Sequence, residues 1–158
     1  MIPNGPPGSF DAGYILNVSS TAATTDEETW LYYTGVNTTH GGTMPPKRMS
    51  LGRAVWRRYG FVSLDAAAKA RIETKPLRLA CSSLEINADA DAGELRVAVL
   101  ETDGRAISGL SSEDCEPLCA DATRHVLRWR SGNVPPADRP IRLVIEMNRC
   151  SLFSLECR

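Results

Sequence analysis

The sequence predicts an all-β protein, a jelly-roll-like antiparallel β-sandwich with further strands in front of it. Two observations carry that reading. Apolar residues recur at every second position: Leu84/Ile86/Ala88 and Leu95/Val97/Val99 each line one face of a run whose other face holds Glu85, Asn87 or Arg96. Between the runs lie turn-forming stretches such as "DADAG" (89–93) and "TDG" (102–104), whose Asp and Gly residues bond locally or accept a positive φ.

Taken in order, "TWLYYTGV" (29–36) and "SLGRAVWRR" (50–58) are aromatic and β-branched runs joined by a Gly/Pro-rich loop, which predicts an antiparallel pair with a long surface connection. The stretch "YGFVSLDAAAKARIETKPL" (59–77) starts as an alternating strand and resumes as one. Its middle, Asp65–Glu73, is alanine-rich and favours helix, yet is shorter than the roughly 12 to 15 residues an isolated helix needs. A linker with at most one or two helical turns is expected there. Beyond the strands already named, His125/Leu127/Trp129, Ile141/Leu143/Ile145/Met147 and Phe153/Leu155/Cys157 continue the alternation. Repeated one-sided strands of this kind bury their apolar faces against one another as a sandwich. The predicted organisation is a strand-bearing segment over 1–58, a seam with the first sandwich strand over 59–77, and the sandwich over 78–158.

The chain has 158 residues, 42% hydrophobic and 23% charged, the composition of a soluble globular protein with room for one domain and part of another. A net charge of −1 supplies no field that would draw nucleic acid or an acidic membrane. The basic clusters Arg53–Arg58 and Arg124–Arg130 alternate with apolar residues and read as solvated strand faces. No apolar run approaches the roughly 20 residues of a spanning helix, and "MIPNGPPGSF" has no signal-peptide pattern. Neither nucleic acid nor membrane is an expected partner. The five cysteines are Cys81, Cys115, Cys119, Cys150 and Cys157, an odd number that makes no disulfide framework; small buried hydrophobes or one bridge are expected. Cys115-x3-Cys119 has no second Cys/His pair at zinc spacing, and no metal or other cofactor is expected.

Ordered phrases carry a family likeness. "YGFVSLDA", "TKPL", "LEINADADAGELRVAVLETDGRAISGLSSEDCEPL", "DATRHVLRW" and "RPIRLVIEMNRCSLFSLE" resemble the C-terminal region of bacterial proteins related to glycoside hydrolase families 32 and 43. Upstream, "GSFDAGYI" and "ETWLYYTGVNTTHGG" resemble a turn and a strand from late in the propeller of that family. The resemblance implies a five-bladed β-propeller followed by a β-sandwich, so that 1–58 would be strands of a partial propeller blade. It also implies that the catalytic carboxylates come from early blades that this sequence does not contain. Glycoside hydrolysis needs two carboxyl groups facing one another at about 5 to 9.5 Å, and no such pair stands out, so no catalytic residue is nominated. Cys119 stands where the resemblance leads to glycine.

Four residues are candidates for carbohydrate contact. Asp11, in a Gly-bounded turn, would lie near the propeller pocket by the resemblance and can accept hydrogen bonds from sugar hydroxyls; the preferred alternative is that it caps the turn by bonding its own backbone. Tyr33, Asn37 and His40, on or beyond one strand end, offer a stacking face and polar groups, with simple solvation of His40 as the alternative. His125 reads as a satisfied core or interface histidine. The scattered residues Asp89, Asp91, Asp103, Glu113, Asp114 and Asp121 do not match a calcium loop and read as turn formers. Asn17-Val-Ser19 and Asn37-Thr-Thr39 satisfy the glycosylation sequon, a short pattern that arises often by chance.

The expected function is a non-catalytic accessory module that packs against an upstream propeller of the same parent protein, with carbohydrate as a further contact. Two alternatives stay open: part of an active glycosidase of fructan, arabinan or xylan type, and a structural domain that self-associates through exposed strand edges. The sequence gives no cellular address, and an exported parent is compatible with it.

Overall fold

The structure, a computed structural model, describes residues 2–158 and divides into two compact units, one ending at Gly60 and the other spanning Phe61–Arg158. Every regular element among the described residues is a strand and every pairing is antiparallel, so the chain is all-β, as its alternation predicts. Among the described residues no helix is long and apolar enough to cross a membrane.

The first unit holds β1 (Tyr14–Val18), β2 (Ala23–Thr24), β3 (Glu28–Val36) and β4 (Met49–Arg57). Strand β3 is central because its aromatic and β-branched residues serve both neighbours. It pairs with β4 along its whole length, from Glu28 opposite Arg57 to Val36 opposite Met49, and with β1 and β2 on its other side. On one face the Arg53 guanidinium lies over the Trp30 ring at 4.5 Å, and the indole N–H donates to Glu28 Oε2 at 2.6 Å. On the other, Gly52 stands opposite Tyr33 and leaves room for the phenol ring; a Cβ at Gly52 would collide with it.

The second unit is organised by one long strand, β9 (Ile141–Cys157), with β5 (Leu64–Glu73), β6 (Leu84–Asp89), β7 (Glu94–Glu101) and β8 (Asp121–Val126) around it. Along one edge β9 pairs with β5. Along the other it pairs first with β7 and then with β6, which carries β8. Midway, Arg149 takes a positive φ of 48°, opposite the break in register between Ala66 and Lys69. Such a bulge bends a strand. One apolar cluster then draws on both halves of β9, with Ile141, Leu143, Ile145, Met147, Cys150 and Leu152 buried together. Leu95, Val97 and Val99 of β7 join them, as do Leu84 and Ile86 of β6. This is the predicted β-sandwich, and each fully buried Leu, Ile or Val contributes about 1.5 to 3 kcal/mol.

Asp65–Glu73 is not a helical linker. These residues are strand β5, in register with β9 from Leu64 opposite Leu152 to Glu73 opposite Val144. Alanine's helical preference over other residues is at most about 0.7 kcal/mol per position, and a ladder with a core strand outweighs it. Ala66 is buried and Ile72 packs against the core, so the segment contributes side chains as well as backbone.

Cys81 and Cys157 form a disulfide with their Cα atoms 5.4 Å apart. Cys115 and Cys150 are buried thiols whose pKa values burial pushes up, while Cys119 is exposed. The two cysteines of Cys115-x3-Cys119 therefore face different surroundings. Among the described residues no group of three potential metal ligands comes together.

Candidate functional site

Asp11 follows a turn closed by Ser9 N–H donating to the Pro6 carbonyl at 3.0 Å. Its carboxylate is buried and accepts two short hydrogen bonds: Ser9 Oγ donates to Oδ1 at 2.7 Å, and the Tyr33 hydroxyl donates to Oδ2 at 2.7 Å. Phe10 stacks on the Tyr33 ring with centroids 6.1 Å apart. The close fit depends on Gly5 and Gly35, where a Cβ would strike the Asp11 side chain. The hydroxyls of Ser9 and Tyr33 hold the Asp11 carboxyl below the usual carboxylate range, and the same carboxylate raises the Tyr33 phenol.

Asn37 and His40 belong to the loop after β3. Asn37 braces that loop across its width, its Oδ1 accepting from Arg48 N–H at 2.7 Å and its Nδ2 donating to the Pro46 carbonyl at 3.1 Å. His40 is exposed and lies tilted against Tyr14 at 5.5 Å; Lys47 Nζ sits over the same ring at 5.5 Å and donates to the His40 carbonyl at 3.0 Å. An open hollow of about 470 Å³ lies beside this loop, lined by Gly5, Ser9, Gly13, Asn37, Thr38 and Met44 among others.

Of the four predicted contact residues, only Asn37 lines the hollow. Asp11 and Tyr33 are brought together, 22 residues apart in sequence, but they face one another. With both oxygens engaged by side-chain hydroxyls, one of them on β3, the carboxylate ties the turn to that strand. The partners that sequence reasoning passed over are Ser9, Phe10, Tyr14 and Lys47; only Ser9, two residues before Asp11, carried a local signal.

His125 departs from expectation. It sits on β8 opposite Ile86, and its Nε2 has no hydrogen-bond partner. Burial, aided by the nearby Arg128 charge, lowers its pKa. The half-buried imidazole packs beside an apolar strand and leaves Nε2 unpaired, so it is not the satisfied histidine expected.

Replacing Tyr33 by Phe is expected to destabilise the protein by about 1.5 to 3 kcal/mol, because a hydrogen bond to a buried charge is lost. The pH dependence of the pair follows from the two shifts. Asp11 titrates lower when folded, so its contribution is complete above an unfolded value of about 3.9 and is lost as pH falls through the folded value. Tyr33 titrates higher when folded, so its contribution is complete below about 10 and is lost as pH rises through the folded value. Denaturant titrations of wild type and Tyr33→Phe at pH 3, 7 and 11 should differ most at pH 7; equal midpoints there would show the pair to be idle.

No protein-family model, no curated protein and no solved structure matches this chain.

Proposed function

We propose that the chain is a non-catalytic accessory β-sandwich module of a glycoside-hydrolase-like protein, with strands of the last propeller blade at its front, and that it packs against the propeller and contacts carbohydrate. The ordered phrases of the second unit support the family; the fate of Asp11 supports the absence of catalysis. A catalytic carboxylate must face the scissile bond with a partner across it, and Asp11 instead spends both oxygens on Ser9 and Tyr33. The isolated chain is therefore expected to release no sugar from fructosides, arabinosides or xylosides above a buffer control. Turnover that disappears in Asp11→Asn would overturn this reading in favour of an active glycosidase.

A second role, self-association, has its own support. Among the described residues thirteen large hydrophobic side chains are exposed, and twelve of them fall between Phe10 and Leu64. Strand β4 has a neighbour on one side only, and Met49, Leu51 and Val55 along it are exposed by 61%, 73% and 44%. An apolar edge of this kind is a template for a second strand. Light scattering should show a mass that grows with protein concentration in wild type and stays monomeric in Leu51→Lys. A constant monomeric mass in wild type would remove this role.

A further inference from the structure

We propose that the second unit carries a cleft for an acidic saccharide, in which Arg128 and Arg130 take the carboxylate of the sugar. The proposal rests on the reading of the chain as a carbohydrate-contacting module and adds the place and the charge of the ligand.

The cleft, about 360 Å³, lies between residues 79–84 and 126–135, within the roughly 300 to 1,000 Å³ usual for small-molecule sites. Its floor is fixed. Trp129 is buried and its indole N–H donates to the Val97 carbonyl at 3.0 Å. The backbone on either side is held as well, with Glu116 N–H donating to the Arg128 carbonyl and Arg130 N–H to the Asp114 carbonyl, both at 2.9 Å. With Leu127 and Trp129 turned inward, Arg128 and Arg130 stand exposed on the opposite face of an extended segment. Two such positions are separated by about 6.6 Å, close enough for two guanidinium groups to converge on one anion.

These arginines differ from most of the others in the unit. Arg71, Arg96, Arg124, Arg139, Arg142 and Arg158 each have a carboxylate at ion-pair distance, and among the described residues neither Arg128 nor Arg130 does. Glu116 is the single carboxylate of the lining, so two arginines against one glutamate leave the cleft with a net charge of +1. Guanidinium forks bind carboxylates in a planar, two-bond geometry that lysine cannot match.

The rest of the lining suits a sugar better than a peptide. Ser83 offers a hydroxyl, and Glu116 and the oxygens of Ser82 and Asn133, whose own donors go to the Arg158 and Ser108 carbonyls, offer acceptors, the complement of a ring of hydroxyls. Val134 and Pro135 form an apolar wall, and Val134, 67% exposed, is the one large exposed hydrophobic residue outside 10–64 among the described residues. The C–H face of a pyranose can cover such a wall. The rim is rigid: the Arg158 carbonyl accepts from Ser82 and Ser83 N–H, Arg158 N–H returns a bond to Ser83, and the Cys81–Cys157 bridge closes the same edge. A site ordered before binding loses less entropy on binding.

Calorimetry on the full chain decides the matter, with trigalacturonate, the neutral sugars xylotriose and kestose, and a hexaglutamate peptide as ligands. Trigalacturonate should bind at least about tenfold more tightly than either neutral sugar or the peptide, and Arg128→Gln and Arg130→Gln should each weaken it about fivefold or more without moving the melting temperature. Arg128→Lys, which keeps the charge and loses the fork, should fall between. Affinity should drop with added salt. Equal or tighter binding of a neutral sugar, preference for the peptide, no binding of trigalacturonate, or indifference to both Gln variants would each overturn the proposal. Neutral-sugar binding would overturn it and leave the accessory-module reading standing. Hydrolysis by the chain would overturn that reading, while tight, arginine-dependent binding of trigalacturonate would still support the cleft.

Discussion

Replacing both Cys81 and Cys157 by serine is expected to lower the stability of the second unit by about 4 kcal/mol without abolishing its fold. The bridge closes a loop of 76 residues, and a cross-link over that length removes unfolded-chain entropy equivalent to about 4.5 kcal/mol. The fold should survive because the chain end has other ties. Arg158 exchanges backbone bonds with Ser82 and Ser83, and its guanidinium meets the buried Glu85 carboxylate at 3.0 Å, beside Arg124. Interference from other thiols is limited to Cys119, since Cys115 and Cys150 are buried and burial keeps them protonated. The measurement is the urea midpoint in a Cys119→Ser background, with and without the two further serines. An unchanged midpoint would show that the cross-link does not restrain the unfolded chain, and loss of all cooperative unfolding would show that the remaining ties do not hold the chain end.

What was legible in the sequence was whatever a strand writes locally. The alternation of Leu95/Val97/Val99 and of Ile141/Leu143/Ile145/Met147 placed their side chains in the core, because strand periodicity and burial of one face are the same fact. Illegible features were those decided by distant partners. The runs at 141–147 and 153–157 are one strand, joined through the bent Arg149, and no local residue pattern announces that continuity. Asp65–Glu73 followed partners 71 or more residues downstream against its own helical preference. The same holds for the candidate sites. The flanking glycines announced a turn at Asp11, but not that the hydroxyls of Ser9 and Tyr33 would take its carboxylate. In the basic run Arg124–Arg130 every arginine looked alike, and only the fold gives Arg124 a carboxylate partner in Glu85 while Arg128 and Arg130 have none among the described residues.

A chain of residues 61–158 is expected to unfold in one sharp thermal transition, and a chain of residues 75–158, lacking β5, is expected to be molten or to aggregate. The second unit owns its core: the buried cluster from Ala66 to Leu152 lies wholly within it. Removing β5 leaves β9 without a neighbour along one edge from Val144 to Leu152. It also strips the core of Ala66 and Ile72, and breaks the Arg142–Glu73 pair and the bonds joining Leu143 to Thr74. Each backbone group left without a partner in a buried setting costs about 1 to 3 kcal/mol. Several such losses together are comparable with the roughly 5 to 15 kcal/mol that holds a domain folded, and the uncovered edge invites pairing between chains. Calorimetric and van't Hoff enthalpies that agree for 61–158, with no transition for 75–158, are the expected result. A cooperative transition in 75–158 at a similar temperature would return β5 to the status of a linker. A molten 61–158 would mean that the sandwich needs the first unit to fold, and that the division at Gly60 separates contacts without separating stabilities.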